Sequence, residues 1–358
     1  LDGGLGVRQG EHVQIYEALP GRVVFGAGSA RTELAGEVDR LGATKVLLIA
    51  STRDAERVRA LTAPLGDRVA ATFTDVREHV PVATAEAARA AAVGVDAVLA
   101  IGGGSTTGAA KAVALTTRLP VLAVPTTYSG SEVTPVWGVS EGDRKTTGTD
   151  LAVLPRTVVY DPELTATLPA ELAVSSALNA MAHCVEAFWA PRRNPISSVV
   201  AEEGVRSLAA GLAGDGLPAA TDLLRGAWLA GSAFAVAGSG LHHKLAHVLG
   251  GFGLPHARTH AVLLPHVLAF TAPGAPEAVE RIGRALGTED GVAGLRAVVA
   301  RAGVPGGLRE LGLRSDQLDE VAARTAAVVP ADHPVPVDEA ALARLVRSAF
   351  DGRAWEGA

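Results

Sequence analysis

The sequence predicts two unlike parts: an α/β amino-terminal domain built on a parallel sheet, residues 1–160, and an all-helical carboxy-terminal domain, residues 161–358. Three observations predict it. Between Gly21 and about Pro125, short β-branched runs alternate with Ala/Leu/Glu/Arg runs of helical length, the order that builds parallel sheets. From Thr165 onward strand signals vanish and long apolar helical patterns follow one another. A length of 358 residues exceeds one simple core and favours two domains.

In order, Arg22–Phe25 reads as a strand, followed by the turn Gly26-Ala27-Gly28 and a helix from about Ala30 to Leu41. Lys45–Ala50 is apolar after its first residue, the mark of a strand buried on both faces. Helix Asp54–Leu61, strand Val69–Phe73, helix Thr84–Ala92 and strand Ala97–Ile101 come next. A helix from about Gly108 to Thr117 and strand Val121–Val124 complete a doubly wound layout. Gly138–Pro155 is mixed and polar, with Lys145 and Asp150, and reads as a hairpin over the bound ligand. Val158–Tyr160 leads into Asp161-Pro162, a turn and helix start.

Gly102-Gly103-Gly104-Ser105 lies directly between a strand and a helix. Three glycines let backbone N–H groups approach a pyrophosphate, and the following helix offers its positive N-terminus. Glycines at such a place also serve as plain turn chemistry, but a turn alone seldom needs three. Ordinary dinucleotide folds carry this motif after the first strand, whereas here it follows about the fourth. The strand Lys45–Ala50 ends in Ser51-Thr52-Arg53, where NAD-specific folds place a carboxylate on the ribose. Lacking that carboxylate, the site is expected to accept NADPH as well as NADH. Pro125-Thr126-Thr127-Tyr128-Ser129-Gly130-Ser131-Glu132 is a hydroxyl-rich loop after a strand, where α/β folds bind ligands.

In the helical part, Ala170–Ala190 carries Asn179 and His183 four apart, with Glu186 a turn later. Ala201–Leu212 and Leu217–Ala237 are further helices. The stretch Leu241–Pro265, LHHKLAHVLGGFGLPHARTHAVLLP, holds five of the ten histidines. His243 and His247 share a helix face, and a glycine-broken loop, Gly250 to Pro255, returns the chain to His256. A lone histidine is more often an ordinary hydrogen-bonded residue. Several in an Ala/Leu/Val segment cost desolvation unless they share a purpose, and spacing alone allows a metal site here. Pro276–Leu286, Val292–Ala302 and Asp338–Phe350 read as amphipathic scaffold helices.

Composition narrows the partners. A net charge of −6 with no basic run longer than Arg192–Arg193 argues against nucleic acid. The Ala-rich stretch Ala87–Ile101 is broken by Arg89 and Asp96, too soon for a membrane span. One cysteine, Cys184, excludes an internal disulfide and suits a reducing cytoplasm, where the protein is expected. The start, LDGGLGVRQGEH, is polar and glycine-rich and reads as a processed or appended tail.

Several motifs agree in order: GGGS followed by Ala110-Lys111, PTTYSGSE, Thr147-Gly148-Thr149-Asp150, VLP, YDP, NAMAHCVEA, and HHKLAHVLGG with PHA beyond it. Over about residues 14–350 the chain resembles the group III, iron-containing alcohol dehydrogenase superfamily, and within it the maleylacetate reductases. The resemblance implies a dehydroquinate synthase-like architecture, an active cleft between the domains, and a homodimer. It also implies reduction of a small dicarboxylate, maleylacetate, at its C=C bond to give 3-oxoadipate. In metal-dependent relatives an Asp and three His hold one divalent ion. The matching positions are Asn179, His183, His243 and His256, with His247 matching a histidine near the nicotinamide. Asn179 replaces a charged carboxylate by a neutral amide, so no metal is expected.

The expected cofactor residues are Gly102, Gly103, Gly104, Ser105, Thr126, Thr127 and Ser51. His243, His247, His183 and Tyr128 are expected at the reacting centre, and Lys244, Arg258, His256 and Asn179 on the substrate. The competing readings are a metal-dependent alcohol or polyol dehydrogenase, a dehydroquinate synthase-like lyase and a non-catalytic binding protein. Stoichiometric metal, or turnover of NADH with maleylacetate, separates them.

Overall fold

The computed structural model describes residue 19, residues 21–142 and residues 144–355. The polar, glycine-rich start of the chain lies outside them. The first part runs β1 (Arg22–Phe25), α1 (Ser29–Thr32), α2 (Leu34–Arg40), β2 (Val46–Ala50), α3 (Ala55–Thr62), β3 (Val69–Phe73) and α4 (Val82–Ala91). It continues with β4 (Ala97–Gly102), α5 (Gly104–Thr117), β5 (Val121–Pro125), β6 (Val136–Glu141), β7 (Arg144–Thr149) and β8 (Thr157–Tyr160). Six of these strands form one sheet in the order β1-β8-β5-β4-β2-β3, parallel throughout.

Alternation along the strands decides what covers each face. Leu47, Ile49, Val98 and Ala100 pack on α4 and α5, while Leu48, Ala50, Leu99 and Ile101 pack on α2 and α3. Each buried Leu, Ile or Val contributes about 1.5–3 kcal/mol. The chain leaves β2 towards β3 on one side and returns to β4 on the other. Their boundary is therefore the switch point, where a crevice opens beyond the strand ends.

Two expectations change in detail. The helix expected over 30–41 breaks at Glu33 into α1 and α2. Helix α5 begins at Gly104, not Gly108, so the glycine turn itself starts the helix. Gly and β-branched Thr are weak helix formers, which hides this start in the sequence. Burial of Thr106 and Thr107 overrides the propensity. The expected hairpin exists as β6 and β7, paired antiparallel. The side chain of Lys145 lies outside what is described.

After β8 come only helices: α6 (Pro162–Thr165), α7 (Ala170–Ala187), α8 (Pro195–Ala213), α9 (Gly216–Ala237), α10 (Leu241–Gly250) and α11 (His256–Thr271). They are followed by α12 (Pro276–Leu286), α13 (Gly291–Arg301), α14 (Leu318–Ala326) and α15 (Glu339–Asp351). Among the described residues no helix is long and apolar enough to cross a membrane. One hydrophobic cluster joins Ala123, Val158 and Tyr160 of the sheet to Met181, Val205, Leu224 and Leu264 of the helices. The loop after β5 also docks on α9, where a Cβ on Gly231 would lie 2.2 Å from the Gly130 carbonyl oxygen. Only glycine permits that approach.

Candidate active site

Two surfaces carry the chemistry. The first is backbone at the C-terminal edge of the sheet. Gly102 ends β4, Gly103 is the N-cap of α5, and Gly104 and Ser105 form its first turn, half-buried. Gly102 has φ 156°, and a Cβ there would meet Thr106 Oγ1 at 2.3 Å, so the turn is closed to side chains. Beside it, Thr126 N donates to Gly102 O at 3.0 Å, and Thr127 flanks Gly103. On the other side of the switch point, Ser51 caps the turn Thr52–Asp54 by accepting from Arg53 N at 3.3 Å. The expected cofactor residues are thus gathered along neighbouring strand ends. Lys111, buried on α5, donates to Ser131 O, Thr134 O and Val136 O, each at 2.7 Å, and so ties the loop after β5 to the glycine helix. Burial brings its ammonium down to about 7, against the pull of Glu132.

The second surface is made of side chains from α7, α10 and α11. Glu186, 1% exposed, accepts from Gly240 N at 3.0 Å, His242 N at 2.6 Å and His243 Nδ1 at 2.5 Å. It is an anion at the N-terminus of α10, a favourable place for negative charge. Burial alone would push its carboxyl up. The His243 and His242 imidazoles and the Gly240 N–H outweigh that and bring it down to about 2. An ionised carboxylate only accepts, so His243 donates through Nδ1 and turns Nε2 away from Glu186.

The His243 ring stacks on His183 with centroids 4.6 Å apart, and His183 stacks on Phe234 at 4.7 Å. His242 Nε2 and His260 Nδ1 share a hydrogen bond of 2.9 Å. Burial drives His183 and His260 well below the usual imidazole range, helped by neighbouring imidazoles, and His242 down to about 3. Asn179 Oδ1, His183 Nδ1, His243 Nε2 and His260 Nε2 are buried without a hydrogen-bond partner. Buried polar atoms left unpaired are costly, and their clustering marks a place for a polar ligand.

His247 and His256 are exposed, with ring centroids 6.0 Å apart, and His256 abuts His260 at 4.5 Å. Lys244 is half-buried on α10. Arg258 forms an ion pair with Glu171, so a substrate carboxylate would have to displace that partner. Tyr128 does not join the histidines. It is 1% exposed within the core, where burial raises its hydroxyl above the usual range. The sequence offers it as a polar donor at the reacting centre, whereas here its ring packs among core side chains. Three residues were not assigned a role from sequence: Glu186, His242 and His260. Glu186 was visible as part of the polar stripe with Asn179 and His183. His242 gave no signal, because it lies off the face shared by His243 and His247.

Comparison with known proteins defines the class. The iron-containing alcohol dehydrogenase model matches residues 20–162, and the C-terminal model of the Fe-containing alcohol dehydrogenase family matches residues 173–350. The chain belongs to the iron-containing alcohol dehydrogenase family, and it is an oxidoreductase. Within that family it is similar to maleylacetate reductases. It is 46% identical to that of Sphingobium indicum over 94% of this chain and 97% of the relative. It is 45% identical to that of Burkholderia cepacia over 94% of this chain and 98% of the relative. The crystal structure of maleylacetate reductase from Rhizobium sp. strain MTP-10005 superposes with a TM-score of 0.91 at 40% identity, covering 96% of this chain and 99% of that one. An iron-containing alcohol dehydrogenase from Corynebacterium glutamicum gives 0.93 at 44% identity, covering 96% and 98%.

Proposed function

We propose that this chain reduces the C=C bond of maleylacetate to 3-oxoadipate in the degradation of aromatic compounds, using NADH or NADPH and no metal ion. The observation that carries this reading is the buried Glu186–His243 pair, with His243 Nε2 left without a partner beside His183 and His260. Gly102 to Ser105, Thr126, Thr127 and Ser51 would hold the dinucleotide at the switch point. When bound, the reduced nicotinamide supplies a hydride to the alkene carbon β to the ketone.

Negative charge then develops on the ketone oxygen as an enolate. In its imidazolium form His243, its Nδ1–H held by Glu186, presents Nε2–H as the donor to that oxygen, with His247 a second donor one turn along α10. The proton passes to the carbon next to the ketone, which completes the saturated product. Lys244, Arg258, His256 and Asn179 serve the two substrate carboxylates and the oxygen.

The donor set does not fit a catalytic dication. Asn179 brings no charge, so Asn179, His183, His243 and His256 offer only neutral donors to a dication. The same reading places the enzyme in the cytoplasm as a homodimer, with its active site between the α/β and helical parts. Oxidation of NADH by maleylacetate is expected to survive a chelator at full rate. Loss of that activity on chelation, with recovery on adding iron or zinc, would replace this reading by a metal-dependent dehydrogenase.

A further inference from the structure

One histidine comes from the α/β part towards the others. His79 lies in the loop between β3 and α4, and its ring stands edge-on to His256, with centroids 6.3 Å apart and planes at 87°. His256 in turn adjoins His260 and His247. The loop is strained there. His79 and Val80 have φ 60° and 50°, in the left-handed region, and for β-branched valine that is a severe outlier.

Such backbone persists only where its surroundings impose it, and here they do. Ser140 Oγ donates to His79 O at 2.9 Å and Ser140 N donates to Val80 O at 3.1 Å, so β6 grips both carbonyls. Val80 is 4% exposed and fills the space left by Gly108, where a Cβ would lie 2.7 Å from Val80 Cγ2. These contacts account for Val80. They do not account for the exposed imidazole at 79, a position where glycine would relieve the backbone at no loss of packing.

We propose that His79 is a substrate-binding residue: from the sheet side it gives an imidazole N–H to one carboxylate of the dicarboxylate, opposite the donors of α10 and α11. This rests on the function proposed above. A substrate with two charged ends needs donors on both walls, and the helical part supplies only one of them. Holding the ring on a strained, clamped loop sets it in place before the substrate arrives, which limits the entropy lost on binding.

The test uses the full-length enzyme with His79→Gly and His79→Asn. Glycine removes both the ring and the strain. H79G is expected to melt no lower than wild type and to keep the wild-type Kd for NADH. Its KM for maleylacetate and its calorimetric Kd for 3-oxoadipate should rise about tenfold or more, the loss of one hydrogen bond to a charged group. Asparagine tolerates the left-handed region and offers an amide N–H, so H79N should recover part of that loss. An active wild type whose H79G variant binds maleylacetate and 3-oxoadipate normally overturns the inference alone. So does an H79G variant that loses affinity only because it melts lower. A wild type inert towards maleylacetate overturns the proposed reaction itself.

Discussion

The strand ends of the sheet and the helices facing them present different material. Along β4 and β5 the surface is mostly main chain: a glycine turn, an adjoining threonine loop and the first turn of α5. Across α7, α10 and α11 it is side chain, with one buried carboxylate and a group of imidazoles arranged around it. A surface of backbone amides depends on the path of the chain and carries no titratable group. A surface of buried ionisable groups depends on every partner being present, because one unpaired charge in the interior costs several kcal/mol. Substitution and acid should therefore injure the two surfaces differently.

Replacing Glu186 should have the largest effect. Glu186→Gln keeps the size but removes the negative charge that favours a doubly protonated His243, and with it the proton that Nε2 gives to the substrate. A fall in kcat of about 10²–10³ is expected, with the Kd for NADH unchanged. An NADH affinity that fell in parallel would show that the two surfaces are not separable. The same variant should alter acid stability. In the wild type the Glu186 carboxyl lies at about 2, below its usual 4.5, so its stabilisation is present above about pH 4.5 and lost as pH falls through about 2. That is about 3 kcal/mol, absent in E186Q. His242, at about 3 against the usual 6.5, acts in the same sense from a higher pH: the unfolded chain takes up its proton first, and stability falls from about pH 6.5 downward. E186Q should keep this upper limb, as read by urea unfolding at successive pH values.

Gly102→Ala attacks the other surface. The added Cβ meets Thr106 Oγ1 at 2.3 Å and the backbone has φ 156°, so the turn must shift. Overpacking of this kind costs about 1–3 kcal/mol. The expected result is about a tenfold rise in KM for NADH with kcat at saturation nearly unchanged. A loss confined to kcat would mean that the glycine turn serves the reacting centre rather than the cofactor.

The comparison also explains what could be read from the sequence. The sheet strands and the glycine turn announce themselves locally, through alternating apolar runs and a motif that lies in one piece. Helix α5 was placed a turn late only because glycine and threonine hide a helix start that tertiary burial imposes. The histidine helices were legible as elements, and their i, i+4 pairs as faces. Their connections were not, since Glu186 reaches His243 across 57 positions and His242 reaches His260 across 18. Tyr128 shows a different limit: a polar loop carries one residue inward among core side chains. His79 was invisible because its meaning lies in a strained backbone, which residue type does not reveal.

The smallest effect belongs to the cofactor's ribose, and it asks whether the backbone surface has any side-chain selectivity. Ala50, the last residue of β2, pairs with Ile101, one position before the glycine turn, so Ser51 stands beside that turn at the switch point. Residues Ser51, Thr52 and Arg53 offer hydroxyls and an exposed guanidinium, and none repels a 2′-phosphate. Asp54 closes the same turn as the N-cap of α3, without a side-chain capping bond, and is the nearest acid along the chain. A half-exposed carboxylate one residue beyond an arginine is a weak deterrent in water. The KM values for NADH and NADPH should therefore differ by less than about a hundredfold. Asp54→Asn should narrow the gap further and Arg53→Ala should widen it. A preference for NADH beyond a hundredfold, unmoved by Asp54→Asn, would show that 2′-phosphate exclusion is built into the path of the main chain.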